Sequence, residues 1–193
     1  MKKIFITLSL TFLFIFAGLN LCFADSTKKF VQACYDGEFA KVQEFIKNGK
    51  EDFDINEEAE IKIFVERNDK IHKISFWHSP LSAACNGGRY KTAKYLIEKG
   101  ADVNGGHPLL FAVKYPKIVK LLIDNGADVN KASHGDKTAL MNAVEFPDTV
   151  ILLIKAGANV NLKDRQGNTA LRYAAQNGYG ESTQALIKAG ARE

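Results

Sequence analysis

Five times along this chain an apolar, helix-like run gives out at a glycine, and the five stretches can be laid one beneath another. The clearest is 161–191, reading NLKDRQGNTALRYAAQNGYGESTQALIKAGA. Thr169 stands where a helix N-cap is wanted, and Leu171, Ala174 and Ala175 share one helical face. Gly178 marks a polar turn, and a second helix ends in Leu-Ile-Lys-Ala-Gly-Ala, with Gly190 placed for the left-handed stop conformation. A unit of two short helices cannot bury its apolar face alone, so copies must stack. That requirement limits the fold to a solenoid.

The other copies lie at 28–49 (KKFVQACYDGEFAKVQEFIKNG), 79–104 (SPLSAACNGGRYKTAKYLIEKGADVN), 107–130 (HPLLFAVKYPKIVKLLIDNGADVN) and 138–161 (TALMNAVEFPDTVILLIKAGANVN). Val119, Leu121, Leu122 and Ile123 fall at the same places as Val150, Leu152, Leu153 and Ile154, which marks them as core. Small pairs, Ala83-Ala84 and Ala174-Ala175, let first helices approach one another. Pro80 and Pro108 occupy first helical positions, where a missing N–H does no harm. The end copies are more polar on their second helices, with Lys41, Gln43 and Glu44 in the first and Ser182, Thr183 and Gln184 in the last. Those positions are expected to face water, as in capping units.

Ser79-Pro80-Leu81, Thr169-Ala170-Leu171, Gly100-Ala101-Asp102-Val103-Asn104 and Gly126-Ala127-Asp128-Val129-Asn130 resemble the signatures of the ankyrin-repeat family. The resemblance covers almost everything after the first two dozen residues. It implies an all-α repeat array, an α-solenoid of about five helix-turn-helix repeats with short β-hairpin loops. The repeats are placed near 28–56, 79–104, 107–130, 138–161 and 169–191, within a domain spanning 25–193.

Three departures from the pattern stand out. Between Asn56 and Ser79 the connection is long and reads EIKIFVERNDKIHKISFW over 60–77. Ile61, Ile63 and Val65 alternate with Lys62, Phe64 and Glu66, and a return run follows the turn-like Asn68-Asp69. This predicts an elongated β-hairpin insertion over 57–78 between repeats one and two. Two roles fit it: a flap over the first repeat's edge, or a partner-binding arm anchored by Trp77. Second, Lys114-Tyr115-Pro116 and Glu145-Phe146-Pro147 replace the inner glycine turn, each proline starting a second helix. Tyr115 and Phe146 then recur at equivalent places, as core packing or as a small binding stripe. Third, the tight Asn104-Gly105-Gly106-His107 link predicts almost no finger between repeats two and three.

The N-terminus carries its own signal. Lys2-Lys3 precede an apolar run with no charge before Asp25, and Cys22-Phe23-Ala24 offer small residues for cleavage after Ala24. Residues 1–24 therefore read as a secretory signal peptide, with a bacterial look and a periplasmic or secreted destination. The alternatives are retention as a membrane anchor, lipidation at Cys22, although Leu21 sits where a lipoprotein box wants a small residue, and a buried core helix, which the later start of the repeats disfavours. There are 26 Lys and Arg against 22 Asp and Glu; with Lys2 and Lys3 set aside the excess is two. That is too little to argue for nucleic acid, which needs a clustered basic face.

Removal of Cys22 leaves Cys34 and Cys85, a pair that invites a disulfide in an oxidising compartment. Both follow an alanine at the same repeat position in adjacent units. Equivalent residues on packed helices lie on the order of 8–10 Å apart, beyond the roughly 7 Å that a disulfide spans. Two buried free thiols are expected.

No sequence motif points to catalysis, a cofactor or a metal. His72, His78, His107 and His134 lack ligand spacing, and no phosphate loop or nucleophile elbow occurs. Ankyrin resemblance implies a protein partner bound through finger tips and first-helix surfaces, and a chain that is monomeric on its own. Carried onto matching positions, it marks Arg165, Gln166 and Asn168 on the last finger and Gln176 and Asn177 on the helix after it. His134 and Lys137 mark the preceding finger, and Trp77 and His78 the end of the hairpin. In that preceding finger Ser133 and Asp136 replace the usual Asp and Gly, which puts its tip geometry in question. An exported binding scaffold is the leading reading. A secreted effector acting on host proteins is the alternative, and a thiol- or metal-dependent enzyme the remote one.

Overall fold

The computed structural model describes residues 27–48, 55–57, 59–67 and 70–192, with 59–67 and 70–77 described by their backbone alone. The signal-peptide reading of 1–24 therefore lies outside the described residues. Helix pairs follow one another down the chain: α1 (27–36) with α2 (Phe39–Asn48), α3 (Pro80–Asn86) with α4 (Tyr90–Glu98), and α5 (Pro108–Phe111) with α6 (Pro116–Asp124). They continue as α7 (Ala139–Asn142) with α8 (Pro147–Lys155), and α9 (Ala170–Gln176) with α10 (Gly180–Lys188). First helices pack in a row, α3 on α5 on α7 on α9, and second helices in another, α2 on α4 on α6 on α8 on α10. This is the all-α repeat solenoid the periodicity called for.

Each start and stop has a local cause. The hydroxyls of Ser79, Thr138 and Thr169 accept from the N–H groups of Ser82, Met141 and Arg172, satisfying donors that a helix start leaves orphaned. Pro80, Pro108, Pro116 and Pro147 all begin helices. The second helices stop alike: Ala101 N–H returns to Leu96 C=O and Gly100 N–H to Ile97 C=O, each at 3.0 Å. Ala127, Ala158 and Ala191 repeat the pattern. That six-to-one closure needs a left-handed residue at the stop, and Gly190 supplies it with φ 86°.

An asparagine ladder ties the stops together. Asn130 Oδ1 accepts from Asn159 N–H at 2.7 Å while its Nδ2 donates to Gly157 C=O at 3.3 Å. Asn104 makes the same pair of bonds to Asp128 and Gly126, and Asn161 to Arg192 and Gly190. Each asparagine satisfies backbone groups in the next repeat that the turn would otherwise leave open.

The core is one continuous apolar seam. Phe30, Leu81, Leu96, Ile118, Leu122, Leu140, Leu153 and Leu186 are its fully buried apolar members above valine size. Tyr115 and Phe146 are half-buried against it, and Tyr115 closes over the inner turn of repeat two. A Cβ at Gly88 would come within 2.6 Å of the Tyr115 ring, and Gly88 has φ 70°, so glycine is required twice over. Cys34 and Cys85 are free and buried, and burial pushes both thiols up from their ordinary pKa.

The insertion forms a two-stranded antiparallel hairpin, β1 (Ala59–Arg67) against β2 (Lys70–His78). Arg67 pairs with Lys70, leaving Asn68 and Asp69, which lie outside the described residues, between the strand ends. Three expectations need correction. The other inter-repeat loops carry turns and no strands among the described residues, since each is too short for a ladder. Ser182, expected to face water, is fully buried: it occupies the second-helix position that Ile118 and Thr149 fill in earlier repeats. Ala175, expected in the core, is exposed, because no described repeat packs on that face.

Candidate protein-binding surface

The fingers before α7 and α9 hold most of the residues marked from the sequence. In the last finger Asp164 N–H donates to Asn168 C=O at 3.0 Å and Gly167 N–H to Asp164 C=O at 2.9 Å. The preceding finger closes identically, Ser133 N–H to Lys137 C=O at 2.9 Å and Asp136 N–H to Ser133 C=O at 3.0 Å. Its unusual residues do not spoil the turn. Asp136 adopts φ 60° where the last finger uses Gly167, a conformation aspartate tolerates better than most residues.

The two tips are joined. Arg165 N–H donates to Gly135 C=O at 3.0 Å, and Arg165 Nε lies 3.3 Å from Asp136 Oδ2. Below them Asp164 is 5 % exposed and serves as an internal anchor. Its Oδ1 accepts from the N–H groups of Gln166 and Asn168, and its Oδ2 accepts from the Tyr173 hydroxyl. Burial by itself would push this carboxyl up. The Tyr173 hydroxyl, the two N–H donors and the Lys137 charge outweigh that, and its pKa lies below the ordinary aspartate value. Lys137 Nζ stands 5.0 Å from the centroid of the Tyr173 ring, so tip, anchor and following helix form one connected group.

Against this frame, His134, Arg165, Gln166, Gln176 and Asn177 are exposed, while Lys137 and Asn168 are half-buried. Asn177 spends its side-chain amide on Tyr173 C=O, closing the end of α9. His78 was expected at the hairpin's binding end and is instead 1 % exposed. Its ring stacks on Phe111 with centroids 4.3 Å apart and its Nε2 lies 3.1 Å from Asn86 Nδ2. The absence of a finger after repeat two lets α5 close directly over this histidine, so it packs the junction and offers no face to a partner. The Trp77 backbone pairs with Glu60 in the hairpin; its side chain lies outside the described residues. Asp164 and Tyr173 were not marked from the sequence. The available signal was a tyrosine on the helix that follows an aspartate-led finger.

Among the described residues no three His, Cys, Asp or Glu converge in a way that could hold a metal ion. The buried thiols, pushed up in pKa, have the opposite character to an activated nucleophile. Among the described residues no helix is long and apolar enough to cross a membrane.

Stacked helix pairs with asparagine-bonded stops and projecting loops define a repeat scaffold. A family model of ankyrin repeats, three copies, matches residues 30–133 and 130–192. The chain belongs to the ankyrin-repeat family, whose arrays are in general non-enzymatic modules for protein–protein interaction. It is also 42% identical over 69 residues to an ankyrin repeat protein of Rickettsia felis, a match covering 32% of this chain and 30% of that protein. The chain thus aligns with under a third of that bacterial relative.

Proposed function

We propose that this chain is an exported bacterial scaffold that binds a protein partner through the joined fingers of repeats four and five and the exposed end of α9. The observation that carries this reading is the locked pair of tips. Arg165 N–H bonded to Gly135 C=O, over the buried Asp164–Tyr173 anchor, presents His134, Gln166 and the Arg165 guanidinium on rigid backbone. Preorganised surface groups lower the ordering cost of association. Export rests on the charged start, apolar run and small cleavage residues of 1–24.

The test is a pull-down from bacterial envelope extract with the purified chain, run beside the Gln166→Ala/His134→Ala and Trp77→Ala forms. A partner captured by the wild type and lost from the finger variant is expected. Loss only from Trp77→Ala would move the contact to the hairpin. A chain that captures nothing and stays alone counts against the scaffold, and fractionation outside the envelope and medium counts against export.

A further inference from the structure

The ledge made by the two fingers has a one-sided charge. Within 131–137 and 163–168 the cations are Lys131, Lys137, Lys163 and Arg165, and Lys131 is engaged with Asn104 C=O at 2.7 Å. Of the two carboxylates there, Asp164 is buried and its oxygens already accept from Tyr173, Gln166 and Asn168. Only Asp136 remains exposed on these loops, and it leans on Arg165 at 3.3 Å. An exposed ion pair of that kind holds weakly and yields to a competing carboxylate.

We infer that this ledge docks an acidic segment of a protein partner, one carboxylate displacing Asp136 from Arg165 and another pairing with Lys137. The inference rests on the scaffold reading and supplies the chemistry of its partner. Lys137 stands over the Tyr173 ring and Arg165 is fixed at its backbone, so both cations are carried on the joined fingers. Gln166 and Gln176 lie exposed nearby on the same finger and helix, where amide groups add hydrogen bonds to a peptide backbone. A nucleic acid fits less well, because the cations are few and the chain's overall excess is small.

The probes are a short Glu-Ser peptide, its Gln-Ser counterpart of equal length, and a short single-stranded DNA. Each is titrated by fluorescence anisotropy against the purified chain at low salt. Saturable binding of the Glu-Ser peptide is expected, with the Gln-Ser peptide at least about fivefold weaker. The double variant Lys137→Gln/Arg165→Gln, its fold checked by circular dichroism, should weaken Glu-Ser binding roughly five- to tenfold. Asp136→Asn, which removes the internal competitor, should tighten it about threefold. Equal binding of the two peptides, or no change in either variant, overturns the inference, as does tighter binding of the DNA. If these fail while the envelope pull-down still yields a partner, the scaffold stands and only the acidic chemistry falls.

Discussion

Repeats four and five carry the same two helices, the same threonine N-cap and the same glycine stop, yet they answer to different surroundings. In repeat four Val144, Thr149 and Leu153 are all buried, and Thr149 Oγ1 donates to Val113 C=O in the repeat before it at 2.9 Å. In repeat five the equivalent serine, Ser182, is just as buried but has no hydrogen-bond partner among the described residues. Ile187 is 58 % exposed, while its counterpart Ile154 packs against the core. Burial at a repeat position is decided by whether a neighbouring repeat packs on that face, and polarity at that position does not override it. Among the described residues the last repeat is open on its outer face and behaves as interior on its inner one.

Thiols offer the widest test of that difference. Cys85 is buried at the repeat position that Ala175 occupies exposed. Opening free energies in a core approach the global value, about 5–15 kcal/mol, so buried groups react only through rare openings. A thiol introduced by Ala175→Cys should therefore label at least a thousandfold faster than Cys34 and Cys85 in the native chain. Denaturation without reductant should expose both native thiols. If it exposes neither, they are oxidised and the free-thiol assignment fails.

Truncation comes next in size. Leu153→Ala empties a fully buried site between repeats and should cost about 2–5 kcal/mol in chemical denaturation. Ile187→Ala, at the open end, should cost less than about 1 kcal/mol. Equal losses would mean that something covers the end face in solution.

A finer comparison sets the two hydroxyls against each other. Thr149→Val keeps the shape but removes the donor to Val113 C=O, for an expected loss of about 1–2 kcal/mol. Ser182→Ala deletes a buried hydroxyl that bonds to nothing described, and should leave stability unchanged or raise it by up to about 1 kcal/mol. A marked loss from Ser182→Ala would show that the hydroxyl has a partner in solution.

These contrasts also explain what the sequence could and could not say. Pro116, Pro147, Thr169 and the glycine stops were legible because their causes are local, a fixed φ, a side-chain cap and a left-handed turn. Register fixed the two cysteines in the same way. Ser182 misled because a polar residue in an end repeat suggests solvent, whereas the helical period keeps that position on the face toward repeat four. His78 departs from its expected place because the short Gly105-Gly106 link does more than omit a finger: it lets Phe111 close over the ring. On the ledge, the exposed residues were marked by their match to the family's finger and helix positions. The Asp164–Tyr173 anchor was not, since it joins a finger to the helix that follows it and no motif spacing announces it.

That anchor sets the smallest expected effect, and it distinguishes the finger end of repeat five from its uncovered helical end. The Asp164 carboxyl has a lowered pKa in the folded chain, so its contribution is present above the unfolded value, about 3.9. It is lost as pH falls through the lower folded value. Tyr173→Phe removes the hydroxyl donor and moves the folded pKa back toward the unfolded one. The difference in stability between wild type and Tyr173→Phe should therefore be constant above about pH 5 and shrink below about pH 4. The measurement is urea denaturation across that range, with Asp164→Asn as a second variant that no longer titrates there. A difference that stays flat down to the acid limit would mean that Tyr173 supports the finger by packing alone. The two fingers would then owe their rigidity to the Arg165–Gly135 backbone bond rather than to the charge beneath it.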